Sequence, residues 1–515
     1  MDRRRFLVAA GLGGMAGLRA QQAPVACVAA PKRERCPLPV VNPDPFPVHE
    51  AQGLERPKGD PVKRKLWSKM SPDDKTGVVR DLQKAYQSMV AYDATDPCSP
   101  VFQAWLHRYY CCNHDPAEKV IIPGVDRDVH HSSAFFPWHR AFLFFYERLI
   151  QRESGNLSFR LPVWDWDASK GNVVPLIYDQ LPLPKMPCAC DPREKGVPEF
   201  GMCLLTGWLQ SNDFDSFVGT AGAPGIGANG PHSTVHTKLG GYMSNLETAA
   251  IDPVFFAHHA NVDRFWWDWW EQSRKMGFVE NWPDPSLPSS TYYFYDFLPQ
   301  DKPPRLVGVT AHELMDIGAL GYGYDPTGVK VAQSFRVLST IPSPIGVRPF
   351  LRFGDVALGD LMHTVPQINL DAVSTALTKL AHNVWNGVPD IPGFNLPDIH
   401  LPVHITFKMP DSQPGKYYYI AVADANNANI VVVGGFGAFS PAHGGPSRFS
   451  SVSCLTSKKL ALLWPLIRKS RRFRLVCALA QDKFLAEDIE HEVRFVNGKL
   501  QEVDPVVFEI QLPLA

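Results

Sequence analysis

Residues 252–264 read Asp252-Pro253-Val254-Phe255-Phe256-Ala257-His258-His259-Ala260-Asn261-Val262-Asp263-Arg264. Asp followed by Pro is a helix start, because proline fits the first turn and an acid suits the positive end of the helix dipole. Apolar positions continue past Trp266 and Trp270, so the helix is expected to run on beyond them. Adjacent helical residues point about 100° apart, so only one of His258 and His259 should face a common centre. Upstream, His232 and His236 stand at i and i+4. If that segment is helical, both rings leave one face with Cβ atoms about 5–6 Å apart, which is chelating distance for one ion.

A second histidine window lies earlier, with His107, His114, His130, His131 and His139. Pro137 opens a helix through Phe142, Phe145 and Leu149, which puts His139 in its first turn. His107 falls on a helix opened by Ser99-Pro100, with Phe102, Trp105, Leu106 and Tyr109 as its apolar positions. His130 or His131 comes from the segment between. Ser71-Pro72-Asp73-Asp74 starts a further helix reaching about Tyr92. Two three-histidine sets from four helices describe a dinuclear site inside a bundle. Imidazole suits copper, zinc, iron and nickel. Dinuclear zinc and iron sites usually add bridging carboxylates, so ligation by imidazole alone favours copper.

The expected fold class is a mainly α core, a four-helix bundle with long loops, followed by a C-terminal β-sandwich-like domain. Residues 66–290 form the core, with a Gly-rich stretch from Gly219 to Gly230. Residues 21–65 read as a Pro-rich arm and 291–394 as a connector. From 395 to 515 short β-patterned runs alternate with turn residues: Val403–Phe407, Tyr417–Ala421, Ile430–Val433, Phe473–Ala478 and Val506–Leu512.

A formal net charge of −1 gives no field that would draw the chain to nucleic acid or an anionic surface. Lys63-Arg64-Lys65 and Arg471-Arg472 read as solvated surface. Residues 1–20 read as a signal: Arg3-Arg4-Arg5-Phe6-Leu7, an apolar stretch from Val8 to Leu18, and Ala20 at a cleavage position. That stretch is short of the roughly 20 residues a bilayer span needs, so no stable membrane insertion is expected. The paired arginines resemble a twin-arginine signal, which implies export to the periplasm or beyond. An exported chain can keep disulfides, and Cys27 with Cys36 is a candidate staple.

His130 and His139-Arg140 with Phe135-Phe136-Pro137-Trp138 between them, followed by Glu147, resemble the first copper motif of the tyrosinase and polyphenol oxidase family. Residues 252–264 resemble the second, and Pro231-His232 with His236 its remaining ligands. Leu161-Pro162-Val163-Trp164-Asp165-Trp166-Asp167 and Leu320-Gly321-Tyr322-Gly323-Tyr324 resemble further segments of plant-type members. The resemblance implies two copper ions. His107, His130 and His139 would hold the first, and His232, His236 and His259 the second. His258 becomes a neighbour of the ligands, and Asp263 could orient a ligand ring. A thioether between Cys111 and His130 is implied too, with Cys112 the competing thiol.

The implied activity is oxidation of o-diphenols to o-quinones by molecular oxygen. Oxygen reduction to water takes four electrons and each catechol yields two, which is the reason for a pair of metals. Where many members carry a glutamate this chain has Ala228, and Ser233 and Thr237 follow the second-copper ligands. None is a strong base, so monophenol hydroxylation is expected to be weak or absent. Leu246 stands where plant-type members carry a bulky aromatic gate. The C-terminal domain is expected to shield the site. Alternatives are a full tyrosinase with monophenol monooxygenase activity, an oxidase dedicated to an o-aminophenol or other metabolite, and an oxygen-binding hemocyanin-like protein. Expected partners are a phenolic substrate and O2, with a copper chaperone as a candidate accessory and no nucleic acid.

Overall fold

A computed structural model describes residues 38, 41, 43–111, 121–122, 128–187, 191–200, 202–209, 217–220, 223–225, 227–275, 291–328, 334–335, 400–409, 415–424, 430–439, 447–456, 473–479, 501–502, 504–510 and 512–513. The signal, Cys27, Cys36, Cys112, His114 and most of the connector lie outside them.

Helix α1 (Pro72–Met89) begins as its sequence dictates: Ser71 Oγ accepts from the Asp74 N–H at 3.1 Å, Pro72 leads, and Asp73 and Asp74 occupy the first turn. α2 (Pro100–Cys111) and α3 (Phe135–Ser154) follow. α3 is stopped by Gly155 at φ 77°, whose N–H reaches back to the Gln151 and Arg152 carbonyls. α4 (Met202–Leu209) is short. A π-helical turn, Ala228–His232, runs directly into α5 (Ser233–Leu239), and α6 (Val254–Lys275) closes the set.

α1 packs on the outside of α3 and α6 on another flank of it. The bundle around the histidines therefore consists of α2, α3, α5 and α6. α1, one of the four strongest helical patterns in the sequence, contributes no histidine. Its place is taken by α5, too short to stand out by periodicity.

The core also extends past residue 290. Strands β1 (Thr291–Asp296) and β2 (Arg305–Thr310) pair antiparallel. β1 buries Tyr292, Phe294 and Asp296 and exposes the residues between in part. Phe294 meets Trp138 of α3 at 5.6 Å between ring centroids. Val62–Lys63 runs parallel to Tyr322–Gly323. Between its two solvated lysines Arg64 is only 1% exposed, which corrects the reading of that run as surface. Its guanidinium donates to Glu147 and to the Tyr324 hydroxyl, both at 2.9 Å, and lies 3.8 Å from the centre of the Tyr322 ring. A charge is stable there only because an acid and two aromatic rings replace its water.

In the C-terminal region the described strands pair antiparallel. Strands β3 (His400–Met409), β4 (Lys416–Asp424), β5 (Ile430–Ala438), β6 (Ser447–Thr456), β7 (Phe473–Leu479), β8 (Gln501–Glu502) and β9 (Asp504–Ile510) make two sheets, ordered β5-β4-β7-β8 and β6-β3-β9. Phe436 of β5 and Phe449 of β6 join them at 4.8 Å. β6 escaped the sequence reading because Ser-Arg-Phe-Ser-Ser-Val-Ser-Cys is serine-rich and lacks the usual β composition. Cys454 on β6 is disulfide-bonded. β5 packs on α5, and β3 and β6 pack on α4. No helix among the described residues is long and apolar enough to cross a membrane.

Candidate metal centre

The first histidine set draws on three elements. His107 projects from α2, His130 from the 3-10 turn Val129–His131, and His139 from α3. Their ring centroids lie 4.9 to 5.6 Å apart, and one ligand nitrogen of each falls within 4.8 Å of the others. His139 Nδ1 donates to the Phe135 carbonyl at 2.7 Å and His107 Nδ1 to the Leu246 carbonyl at 3.1 Å. Those bonds fix the proton on Nδ1 and leave Nε2 as a lone pair.

The second set follows the same rule. His232 Nδ1 donates to the Ala228 carbonyl at 3.0 Å and His236 Nδ1 to Met243 at 2.7 Å. The π-helical turn brings the Ala228 carbonyl back onto His232. His236 Nε2 and His259 Nε2 approach to 3.3 Å. The two sets touch: the His139 and His259 rings stack at 4.4 Å and 8°.

All six rings are buried, none more than 3% exposed. Burial, followed by the neighbouring rings, holds His107, His130, His232, His236 and His259 well below the ordinary imidazole range. Burial alone takes His139 down to about 3. The rings are thus neutral, the form that binds metal. The Nε2 atoms of His107, His139 and His232 are buried with no hydrogen-bond partner. Each orphan nitrogen costs about 1–3 kcal/mol unless something fills it. Lone pairs of neutral imidazoles, with no carboxylate in either set, fit copper.

His131, the alternative to His130, instead bonds Asp128 through Nδ1 at 2.6 Å and belongs to neither set. His258 is grouped with the second set by proximity. Cys111 Sγ lies 3.9 Å from His130 Nε2, close enough for a thioether to form on that ring.

Asp263 does not orient a ligand ring. Its two oxygens take Arg140 Nε at 2.7 Å and the Tyr322 and Tyr324 hydroxyls at 2.8 Å each. A buried guanidinium outcompetes a neutral imidazole for a carboxylate. Ala228 acts through its main chain, accepting from both His232 and Ser233 Oγ. Thr237 Oγ1 donates to the Ser233 carbonyl at 2.8 Å. Both hydroxyls are thereby spent on the helix backbone. Leu246 is buried, and its carbonyl holds His107.

Sequence reasoning missed Phe439. It follows β5, is 1% exposed, and stacks on His236 at 3.9 Å and 13°. It also meets His232 at 5.3 Å and His130 at 6.2 Å. The strand that delivers it lies hard against α5. A β-carbon on Gly437 would overlap the Ser233 carbonyl oxygen and Thr237 Oγ1. Lys238 Nζ sits 3.5 Å over the Tyr417 ring of β4. The available signal was Gly434-Gly435-Phe436-Gly437, since glycines inside a strand mark close backbone approach.

Fold and site together define a helical-bundle protein with two adjoining imidazole sets, one of three histidines and one of four, capped by a β domain. The common central domain of tyrosinase matches residues 101–195 and 199–272. The chain is 27% identical over 380 residues to polyphenol oxidase II of Ipomoea batatas, covering 64% of this chain and 63% of that protein. It is 28% identical over 383 residues to catechol oxidase B of Solanum tuberosum, covering 63% and 61%. The matched part thus spans under two thirds of each relative's length. A latent apple tyrosinase shares the fold, with a TM-score of 0.53 at 18% identity over 90% of this chain and 100% of that one. Residues 101–272 of the chain thus carry the common central domain of tyrosinase.

Proposed function

We propose that the protein oxidises o-diphenols to o-quinones with molecular oxygen at two copper ions, with little or no hydroxylation of monophenols. The observation that carries the proposal is the convergence of two buried, carboxylate-free imidazole sets, with the Nε2 atoms of His107, His139 and His232 unpartnered. His107, His130 and His139 would hold one ion, and His232, His236 and His259 the other. When bound, the pair supplies electrons two at a time, matching the two electrons each catechol gives up.

The chain's own residues do the positioning. Main-chain carbonyls of Leu246, Phe135, Ala228 and Met243 set four ring orientations. Phe135 and Phe255 wall the rings, at 4.7 Å from His232 and 4.1 Å from His259, and exclude water. A thioether from Cys111 to His130 would fix a fifth ring.

Hydroxylating a monophenol requires removal of the phenol proton. Ala228 has no carboxyl, and the Ser233 and Thr237 hydroxyls are already donated to carbonyls. The test is metal analysis followed by initial rates on a catechol and its matching monophenol. Two coppers with a much faster catechol rate is the expected result, and a comparable monophenol rate points to a full tyrosinase. Leu246→Phe should shift preference toward small catechols, and unchanged preference removes the gate role.

The β domain would keep the enzyme latent, with Phe439 over His236 standing where substrate must enter. A capped site also suits an oxygen carrier, and quinone formation from catechol separates the two readings. Twin-arginine export, on the strength of Arg4-Arg5-Phe6-Leu7, completes the proposal. Copper would be inserted before transport, with a chaperone as the expected donor.

A further inference from the structure

Four histidines, not three, crowd the second metal position. The nitrogens of His232, His236, His258 and His259 all lie within 4.8 Å of one another. The His258 ring is 4.8 Å from His236, 5.2 Å from His259 and 5.7 Å from His232. It is fully buried, so nothing in distance or burial sets it apart from a ligand.

Its hydrogen bonding does. Trp166 Nε1 donates to His258 Nδ1 at 3.1 Å. An indole nitrogen can only donate, so His258 Nδ1 must be the lone pair. A neutral imidazole has one donor and one acceptor nitrogen, so the proton sits on Nε2. Nε2 is also the nitrogen with no hydrogen-bond partner. This is the inverse of His232 and His236, whose Nδ1 atoms face carbonyls, which only accept, leaving Nε2 bare. The Trp166 indole has little room to turn away, packed against Phe265 at 5.2 Å, Phe200 at 5.6 Å and Trp208 at 6.1 Å.

We propose that Trp166 locks the tautomer of His258 and so excludes it from the second metal's ligand set. Trp166 and His258 are positioning residues: the indole keeps the wrong nitrogen protonated, and a three-imidazole site results from a four-imidazole cluster. A fourth imidazole would occupy a coordination position that oxygen or substrate needs. The inference rests on the copper reading above, and it assigns a task to the Trp166 segment that spacing alone could not.

The test uses the full-length, copper-loaded protein in four forms: wild type, Trp166→Phe, His258→Gln and the double variant. Copper content is measured by elemental analysis. The imidazoles on the second ion are counted from nitrogen couplings in the electron paramagnetic resonance of a form carrying a single copper(II). Wild type and His258→Gln should each bind two coppers and show the same three imidazoles. Trp166→Phe should still bind two but show an added or mixed imidazole signature. The double variant should return to the wild-type pattern, a rescue that simple loss of packing would not give. A Trp166→Phe spectrum identical to wild type overturns the inference, as does loss of half the copper in His258→Gln. Wild-type protein that binds no copper overturns the functional reading itself, which keeps the two failures distinct.

Discussion

Gly437→Ala is the sharpest probe of how the β domain closes the site. Of the three atoms nearest an added methyl, two belong to the Ser233 main chain and one is Thr237 Oγ1. Even the least crowded, the Ser233 carbonyl carbon, would lie 2.8 Å away where ordinary contact begins at 3.4 Å. The helix that would have to yield carries His236 and follows directly on His232, so β5 must retreat instead. Overpacking of this kind costs about 1–3 kcal/mol. Retreat also loosens the Phe439 stack on His236, 3.9 Å between centroids. At about 1.4 kcal/mol per tenfold, the open fraction should rise roughly 5- to 150-fold. The assay is oxygen uptake with catechol by the full-length, copper-replete variant, before any protease treatment. Gly77→Ala, where nothing lies within 4 Å of the new methyl, is the neutral control. Phe439→Ala should raise the rate by removing the ring without moving the strand. Cleavage between about 340 and 400 should raise it further. A folded Gly437→Ala protein no faster than wild type, beside a cleaved core that is faster, refutes the docking argument.

Acid should destabilise the metal-free protein through its buried rings. His139 is held from 6.5 down to about 3 by burial, so between those values the unfolded chain binds the extra proton. The stability contributed by this ring is complete above about pH 6.5. It is lost as pH falls toward 3, at up to about 1.4 kcal/mol per pH unit. Urea midpoints at pH 7 and pH 5 check this, and an unchanged midpoint speaks against neutral, buried rings. Mature protein should be two hydrogens lighter than its sequence in the peptide pair holding Cys111 and His130. Cys111→Ser should abolish that difference, and if it persists another thiol, Cys112 first, forms the link. Glu147→Ala strands the Arg64 charge in the core, and breaking such a pair costs about 3–5 kcal/mol. Chemical denaturation should show that loss, and a cost below about 1 kcal/mol would mean Tyr324 and Asp263 suffice.

Much of the site was legible because metal chemistry restricts residue type. Histidine clusters at helical spacing already pointed to two imidazole sets, and the helix starts at Ser71-Pro72 and Ser99-Pro100 placed the scaffold. The core boundary was less visible, since a hairpin at 291–310 carries too few residues to announce which layer it joins. Arg64 looked like surface because charge runs usually are. Only its partners, Glu147 and the Tyr322-Gly323-Tyr324 segment hundreds of residues away, make burial tolerable.

Sequence alone thus determined the chemistry: which side chains could bind, on which helices, and that a β domain follows. Tertiary structure decided which nitrogen of His107, His139 and His232 is free, that Asp263 serves Arg140 rather than a histidine, and that Phe439 rests on His236. The reason is physical. Ligand type and helical spacing are local and leave a trace in neighbouring residues. Tautomers, buried ion pairs and stacked rings depend on atoms brought together from distant parts of the chain, and no local pattern encodes them.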